Sequence, residues 1–471
     1  MEWLTILHTN DLHSHFENWP RIRRYLTTTK RSTLASGESV FTFDLGDHVD
    51  RAQPFSEATA GQGNIQLMNQ IGYDGATIGN NEGLGFTRSQ LNHLYDQANF
   101  PVILGNLLTA DQHRQPDWAV DHRLLTTEAG TKVLVLGLTA PYQLTYPLAG
   151  WQPVAAKLAL SRLLAKYRSQ ANICVLLSHL GLDVDRELAR SFPELDVIIG
   201  SHTHHLLRHG ELVGQCLLAA AGKFGQFVGR IQLGFNSAHQ LVSQAASVVA
   251  TADLPVEAVD QTEITGLTTR GTTILTRHQF AQLPKRLIAN PSGHPELVQL
   301  GMQAIAAAAG TQAAVLNAGL FLHDLPAGPV NKEQLLTLLP HGMHVMRVTL
   351  DGENLWRLVR EFELARRFLR FFPQKGMGFR GKVFGELNYL GISYDPDTQT
   401  VAWQGAPLVK TRRYTLAMVD HYLFIPFFPT ISIMGENDIL YPELLREVFE
   451  RYLALHYPLT IGNREEDESG S

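Results

Sequence analysis

Imidazoles, carboxylates and carboxamides recur through the first half of the chain in short clusters, each directly after a run of apolar, β-branched residues. Asn10-Asp11-Leu12-His13 follows the first run, Gly46-Asp47-His48-Val49-Asp50 the second and Gly79-Asn80-Asn81-Glu82 the third. Ser178-His179-Leu180-Gly181 and Gly200-Ser201-His202-Thr203-His204 follow two later runs. Residues two apart in an extended segment point the same way, so Asp11 with His13, and His202 with His204, can present paired donors. The candidate ligands are Asp11, His13, Asp47, Asn80, His179, His202 and His204. Imidazole nitrogen, carboxylate and amide oxygen together suit divalent transition metals rather than calcium. A single His-x-His or Gly-Asp means little; ordered recurrence at strand ends carries the reading.

Such clusters need a scaffold that brings strand ends to one edge. Residues 4–7, 40–43, 76–78, 102–104, 133–136, 173–177 and 197–199 read as strands. Between them 56–71, 88–98 and 153–168 read as helices, the last opening at Pro153, a common first-turn residue. Near-continuous apolar strands alternating with helices predict an α/β domain over 1–250 whose sheets are covered on both faces. In open α/β sheets ligands bind beyond the carboxyl ends of the strands, where all five clusters fall. The pattern then dissolves into Thr, Asp, Glu and Gly, a connector over 251–275. A second domain, 276–461, mixes helices at 297–309, 332–338, 352–370 and 441–455 with strands at 345–350, 390–394, 401–403 and 414–419, which predicts α+β. The stretch 462–471 is acidic and expected to be a disordered tail.

Composition narrows the function classes. The 471 residues carry 39 basic and 45 acidic side chains, a net charge of −6, so a basic surface for sequence-independent nucleic-acid binding is not expected. With 44 % hydrophobic residues, the chain has ample apolar surface to offset ordering entropy. No apolar run approaches the roughly 20 residues that span a bilayer, and the first residues lack a basic region before an apolar one, so neither membrane nor secretion is expected. Cys174 and Cys216 each sit in an apolar stretch; buried, reduced thiols and a cytoplasmic location are the expectation. Oligomeric state is not legible.

Asp-x-His, Gly-Asp-x-x-Asp, Gly-Asn-x-Glu, Ser-His-x-Gly and Gly-Ser-His-Thr-His, in this order, resemble the calcineurin-like metallophosphoesterases, and within them the 5′-nucleotidase family. Leu316-Asn317-Ala318-Gly319, Leu339-Pro340-His341-Gly342 and Asp351-Gly352 resemble turns of that family's C-terminal domain. The resemblance implies a four-layer αββα sandwich followed by an α+β substrate-binding domain. It implies two divalent ions (Mn, Zn, Fe, Co or Ni), one held by Asp11, His13, Asp47 and His204 and the other by Asp47, Asn80, His179 and His202. Its implied activity is hydrolysis of small phosphate esters, most of all nucleotides, in nucleotide catabolism. Alternatives are a phosphodiesterase or pyrophosphatase acting on cyclic nucleotides or nucleotide sugars, and a metal-bound nucleotide sensor with little turnover.

The chain departs from the family pattern in two places. Where the family reads Asn-His-Glu-Phe-Asp, this sequence has Asn80-Asn81-Glu82-Gly83-Leu84, so Asn81 stands at the catalytic position and Leu84 where an aspartate would orient the imidazole. An amide donates hydrogen bonds but exchanges no proton at useful pH, and general acid catalysis is worth about 10²–10⁴-fold. His15, His48 and His205 are candidate replacements. In the second domain Leu320-Phe321-Leu322 follows the Asn317 turn, where the family has an arginine for phosphate. Phe424 and Phe427 are candidates for stacking on a nucleobase, and Phe379 with Arg380, in Gly378-Phe379-Arg380-Gly381-Lys382, for ring and phosphate contacts.

Overall fold

The computed structural model describes residues 1–376 and 378–459; the acidic stretch 462–471 lies outside the described residues. The chain divides into two units, Met1–Gly271 and a second from Thr272 onward.

In the first unit a seven-stranded sheet runs in the order Leu241–Ala250, Phe227–Phe235, Glu2–Thr9, Ser39–Asp44, Gly75–Ala76, Val102–Ile103, Ala119–Val120. A six-stranded sheet runs Glu211–Val213, Cys216–Ala219, Val197–Gly200, Ile173–His179, Lys132–Thr139, His122–Thr126. Leu4, Ile6, Phe41 and Phe43 of the first sheet share one core with Val133, Val135, Val175, Leu177, Val197 and Ile199 of the second. The alternate residues Leu134, Leu136, Leu176 and Ile198 face the other way and pack on Leu160, Leu163 and Leu164 of the helix Ala156–Tyr167 and on Leu188 of Leu182–Ser191. Both faces of these strands are buried, which is why their sequence is continuously apolar rather than alternating. On the outer side of the first sheet the helix Trp19–Ala35 buries Trp19, Ile22 and Leu26. The order is helix, sheet, sheet, helix, as the resemblance implied.

Parallel register levels the strand ends. Thr9 lies opposite Asp44, Asp44 opposite Ala76, and Ser178 opposite both Gly200 and Leu138. The loops carrying the polar clusters therefore leave their sheets at corresponding heights.

The second unit is built on a five-stranded sheet ordered Leu387–Leu390, Ala314–Asn317, Arg413–Val419, His344–Asp351, Glu436–Leu444. Its core draws in the helices Glu296–Ala309, Gly352–Leu369 and Leu445–His456. No described helix is long and apolar enough to cross a membrane. Cys174 and Cys216 are buried and unpaired.

Several element boundaries differ from expectation. The helix expected over 56–71 is two, Pro54–Ala58 and Gln62–Met68, because Ala60 (φ 47°) and Gly61 (φ 78°) turn left-handed between them. Pro153 ends the strand Trp151–Pro153 instead of opening a helix. The strand expected over 390–394 breaks at Gly391, φ 71°. The stretch expected as a helix from 441 is strand as far as Leu444. The expected connector 251–275 is largely the helix Ala258–Arg277. Its threonines and glycines have poor helix propensity. Tertiary ion pairs compensate: Arg23 binds Glu263 through both guanidinium nitrogens, at 2.5 and 2.7 Å, and Arg24 binds Asp260.

Candidate metal centre

Two groups of potential ligand atoms converge at the strand-end edge of the first unit: Asp11 with His13 and His204, and Asp11 with Asp47 and His179. His13 Nε2 is 3.2 Å from His204 Nε2 and 3.7 Å from Asp47 Oδ2; His179 Nε2 is 3.5 Å from the same Asp47 oxygen. Asp11 Oδ1 lies 3.7 Å from His204 Nε2 and 4.0 Å from both His13 and His179 Nε2. Each aspartate thus touches both sets of imidazoles.

Holding this geometry strains the backbone. Asp11, His13, Ser14, Asp47, His202 and His204 all have φ between 44° and 76°, a left-handed conformation that non-glycine residues rarely adopt. Each such residue costs about 1–3 kcal/mol, so the surrounding structure must over-determine it. Glu82 supplies much of that restraint. Its Oε2 accepts the N–H groups of Asp47 and Gly79 and its Oε1 that of Val49, all at 2.9 Å, which ties two ligand loops together. Gly79 must lack a side chain, because a Cβ there would lie 2.0 Å from Asp47 Oδ1.

The donor set fits divalent cations. His179 Nδ1 donates to the Leu45 carbonyl at 2.7 Å, which leaves Nε2 to face the carboxylates, buried and without a hydrogen-bond partner. The buried Asn80 Oδ1 likewise has none. Unpartnered polar atoms are expensive to bury, and His179 Nε2 lies against the Asp11 and Asp47 carboxylates. Burial would depress His179, but Asp47 and Asp11 outweigh it and lift the imidazole to about 10, so proton and cation compete for this nitrogen. Burial raises Asp11; for Asp47 burial acts in the same direction but His179 overrides it and holds the carboxyl well below its usual range. Burial, then His179 for His202 and His13 for His204, lowers both imidazoles to about 4, leaving them neutral with lone pairs available near pH 7. Burial and then Asp47 raise Glu82 to about 7.

Asp11, His13, Asp47, His179 and His204 come together; His202 stands at the rim. Its ring centroid is 5.1 Å from that of His179, and its backbone N–H donates to Asp11 at 3.2 Å. Asn81, expected at the catalytic position, has its amide nitrogen 2.9 Å from His13 Nδ1, where the donor depends on the His13 tautomer, and donates to the Val49 carbonyl at 3.1 Å. Its amide nitrogen thus lies against the His13 ring and the Val49 backbone. His48 is buried behind the site, in a network with Asn64 and Ser14. His15 pairs with Glu17 at 2.7 Å and stacks on Phe224, and His205 bonds Thr203. In the second unit Phe379 is only 4 % exposed and stacked on His341 at 5.1 Å, so it offers no face to a base, contrary to expectation. Phe427 packs against Phe368 and Phe372, whereas Phe424 and Arg380 are exposed. Ser201, whose hydroxyl donates to Asp11, and Glu82 belong to the site although neither is among the candidate ligands.

Residues 4–206 match the family Calcineurin-like phosphoesterase and residues 279–424 the family 5′-nucleotidase, C-terminal domain. The uncharacterized metallophosphoesterase YunD of Bacillus subtilis (strain 168) is 35 % identical over 462 residues, covering 96 % of this chain and 99 % of YunD. The protein UshA of Yersinia enterocolitica is 23 % identical over 531 residues, covering 97 % and 92 % of the two chains. Solved structures that share the fold include the following two. The NAD nucleotidase NadN of Haemophilus influenzae matches with a TM-score of 0.62 at 14 % identity, over 97 % of this chain and 96 % of its own. A 5′-nucleotidase precursor from Thermus thermophilus matches at 0.57 and 19 %, over 97 % of each chain.

Proposed function

The chain belongs to the 5′-nucleotidase family of calcineurin-like phosphoesterases, and from that premise we propose that it hydrolyses phosphate esters of nucleotides at a centre for two divalent cations formed by Asp11, His13, Asp47, Asn80, His179, His202 and His204. The observation that carries the proposal is the placing of Asp47 Oδ2 within 3.7 Å of His13 Nε2 and 3.5 Å of His179 Nε2, a carboxylate shared by two imidazole sets. Divalent cations bound there would supply Lewis acidity to the phosphoryl group and acidify water near neutral pH. The protein's own contribution is positional. Glu82 fixes the Asp47 and Gly79 loops, Asn81 orients His13, Ser201 steadies Asp11, and the Leu45 carbonyl sets the His179 tautomer. Within the second unit, the exposure of Arg380 and Phe424 supports them as candidate nucleotide-binding residues of that unit. Two unpaired cysteines support operation in the reducing cytoplasm.

The engagement of Asn81 with His13 and Val49 favours substrates whose leaving group needs no proton. Nucleotide diphosphates and nucleotide sugars, which expel a phosphate, fit this better than nucleoside monophosphates, which expel an alkoxide. The test is chromatographic detection of products from nucleoside monophosphates, nucleotide sugars and cyclic nucleotides, with Mn, Zn, Fe, Co or Ni supplied singly and with chelator. Metal-dependent hydrolysis of a nucleotide is expected. Protein that binds two ions yet turns over none of these esters would contradict the proposal and favour a sensor.

A further inference from the structure

Tyr142 follows the strand Lys132–Thr139, whose last residue lies opposite His179. Its hydroxyl is 3.2 Å from His202 Nε2, and the two rings meet edge to face with centroids 6.1 Å apart. The residue is 40 % exposed, so it borders solvent beside His202. His202 is tied to Asp11 through its backbone N–H. With Nε2 engaged by Tyr142, Nδ1 is the ring nitrogen left for a cation. An imidazole that gives the Nδ1 lone pair to a cation carries its hydrogen on Nε2. That N–H donates to the Tyr142 oxygen, and the phenolic hydrogen is then free to be donated outward. A phenol keeps this hydrogen at neutral pH.

We propose that Tyr142 is a substrate-contacting residue whose hydroxyl donates a hydrogen bond to a phosphoryl oxygen of the bound ester, with His202 holding the phenol in place. The inference rests on the proposed phosphate-ester chemistry of the same centre. It answers a specific deficit: the Asn81 amide is committed to His13 and Val49, so that position directs no donor at a substrate. Tyr146, the neighbouring phenol, is fully buried and lies beneath Gly83, where an added Cβ would meet its hydroxyl at 2.2 Å. Tyr142 combines a partner that fixes its oxygen with a path to solvent.

Tyr142→Phe removes one oxygen and keeps the ring against His202. Three quantities are measured on wild type and variant: divalent-cation affinity by calorimetry, affinity of the cation-loaded protein for inorganic phosphate, and kcat with KM for a nucleotide ester. A hydrogen bond to a charged group is worth enough to weaken phosphate binding by about 10-fold or more. The expected result is that loss, a raised KM and cation affinity unchanged within about 2-fold. Unchanged phosphate affinity and KM would overturn the proposal. So would a loss of cation affinity that accounts for the whole effect, since Tyr142 would then act only by positioning His202. If cation-loaded wild type binds no phosphate and cleaves no ester, the phosphate-ester reading itself fails, which is distinct from failure of Tyr142 alone.

Discussion

Glu82→Gln isolates the restraint on the loops that carry Asp47 and Gly79. The glutamate is 1 % exposed and accepts three backbone N–H groups at 2.9 Å. Glutamine has nearly the same shape but only one acceptor oxygen. Placed to keep the Asp47 and Gly79 N–H groups, it turns its NH₂ toward the Val49 N–H and leaves a buried donor unsatisfied. Such a group costs about 1–3 kcal/mol, and the remaining bonds weaken because they are no longer charge-assisted. For a unit of this size each kcal/mol shifts Tm by about 2–4 °C, so a fall of about 3–10 °C is expected. The assay is calorimetric unfolding of metal-free protein at pH 8, above the value of about 7 to which burial and then Asp47 raise Glu82, followed by cation titration of the folded variant. Cation affinity should fall as well, because Asp47 is held at φ 49° by a backbone that Glu82 secures. Unchanged Tm together with unchanged cation affinity would refute the argument that this carboxylate stabilises the strained ligand loop.

His179→Ala and His204→Ala should each weaken one cation selectively, seen as one altered step in calorimetric titration; equal loss of both steps in each variant would contradict separate sites. Asn81→His with Leu84→Asp supplies an oriented acid and should raise turnover of nucleoside monophosphates relative to aryl phosphates, within the range of about 10²–10⁴ open to general acid catalysis. Equal effects on both substrates would mean that no proton was missing. Arg24 and the backbone N–H of Glu257 hold Asp260 at about 2, below its unfolded value, so its stabilisation is present above about pH 4 and is lost as pH falls toward 2. Asp260→Asn should flatten acid destabilisation of the first unit in that window, checked by chemical unfolding at stepped pH; an unchanged slope would argue against the pairing.

The α/β sandwich was legible because buried parallel strands write themselves as continuous apolar runs, and residues 133–136 and 173–177 give that signal cleanly. The convergence of Asp11, His13, Asp47, His179 and His204 was legible because loops at strand ends concentrate donors at fixed short spacings. Legibility failed where the deciding interaction is remote in sequence. The helix Ala258–Arg277 depends on ion pairs to Arg23 and Arg24, more than 230 residues away. Tyr142 meets His202 across 60 residues of chain, and no local pattern marks it. Phe379 is aromatic, flanked by glycine and near two cations, yet its ring is spent on His341, a packing outcome that spacing does not encode. The motif marks Asn81 as a departure, but its contact with His13 spans 68 residues of chain and no local spacing encodes it. Glu82 was visible in its motif; its role as an acceptor of three backbone donors was not.

The most direct test counts divalent ions by elemental analysis and measures nucleotide hydrolysis on the same samples of wild type and Asp47→Asn. Two ions per chain in the wild type, with ion content and hydrolysis falling together in the variant, is the predicted result. Two ions and full hydrolysis retained without the Asp47 carboxylate would contradict a centre built around a shared aspartate.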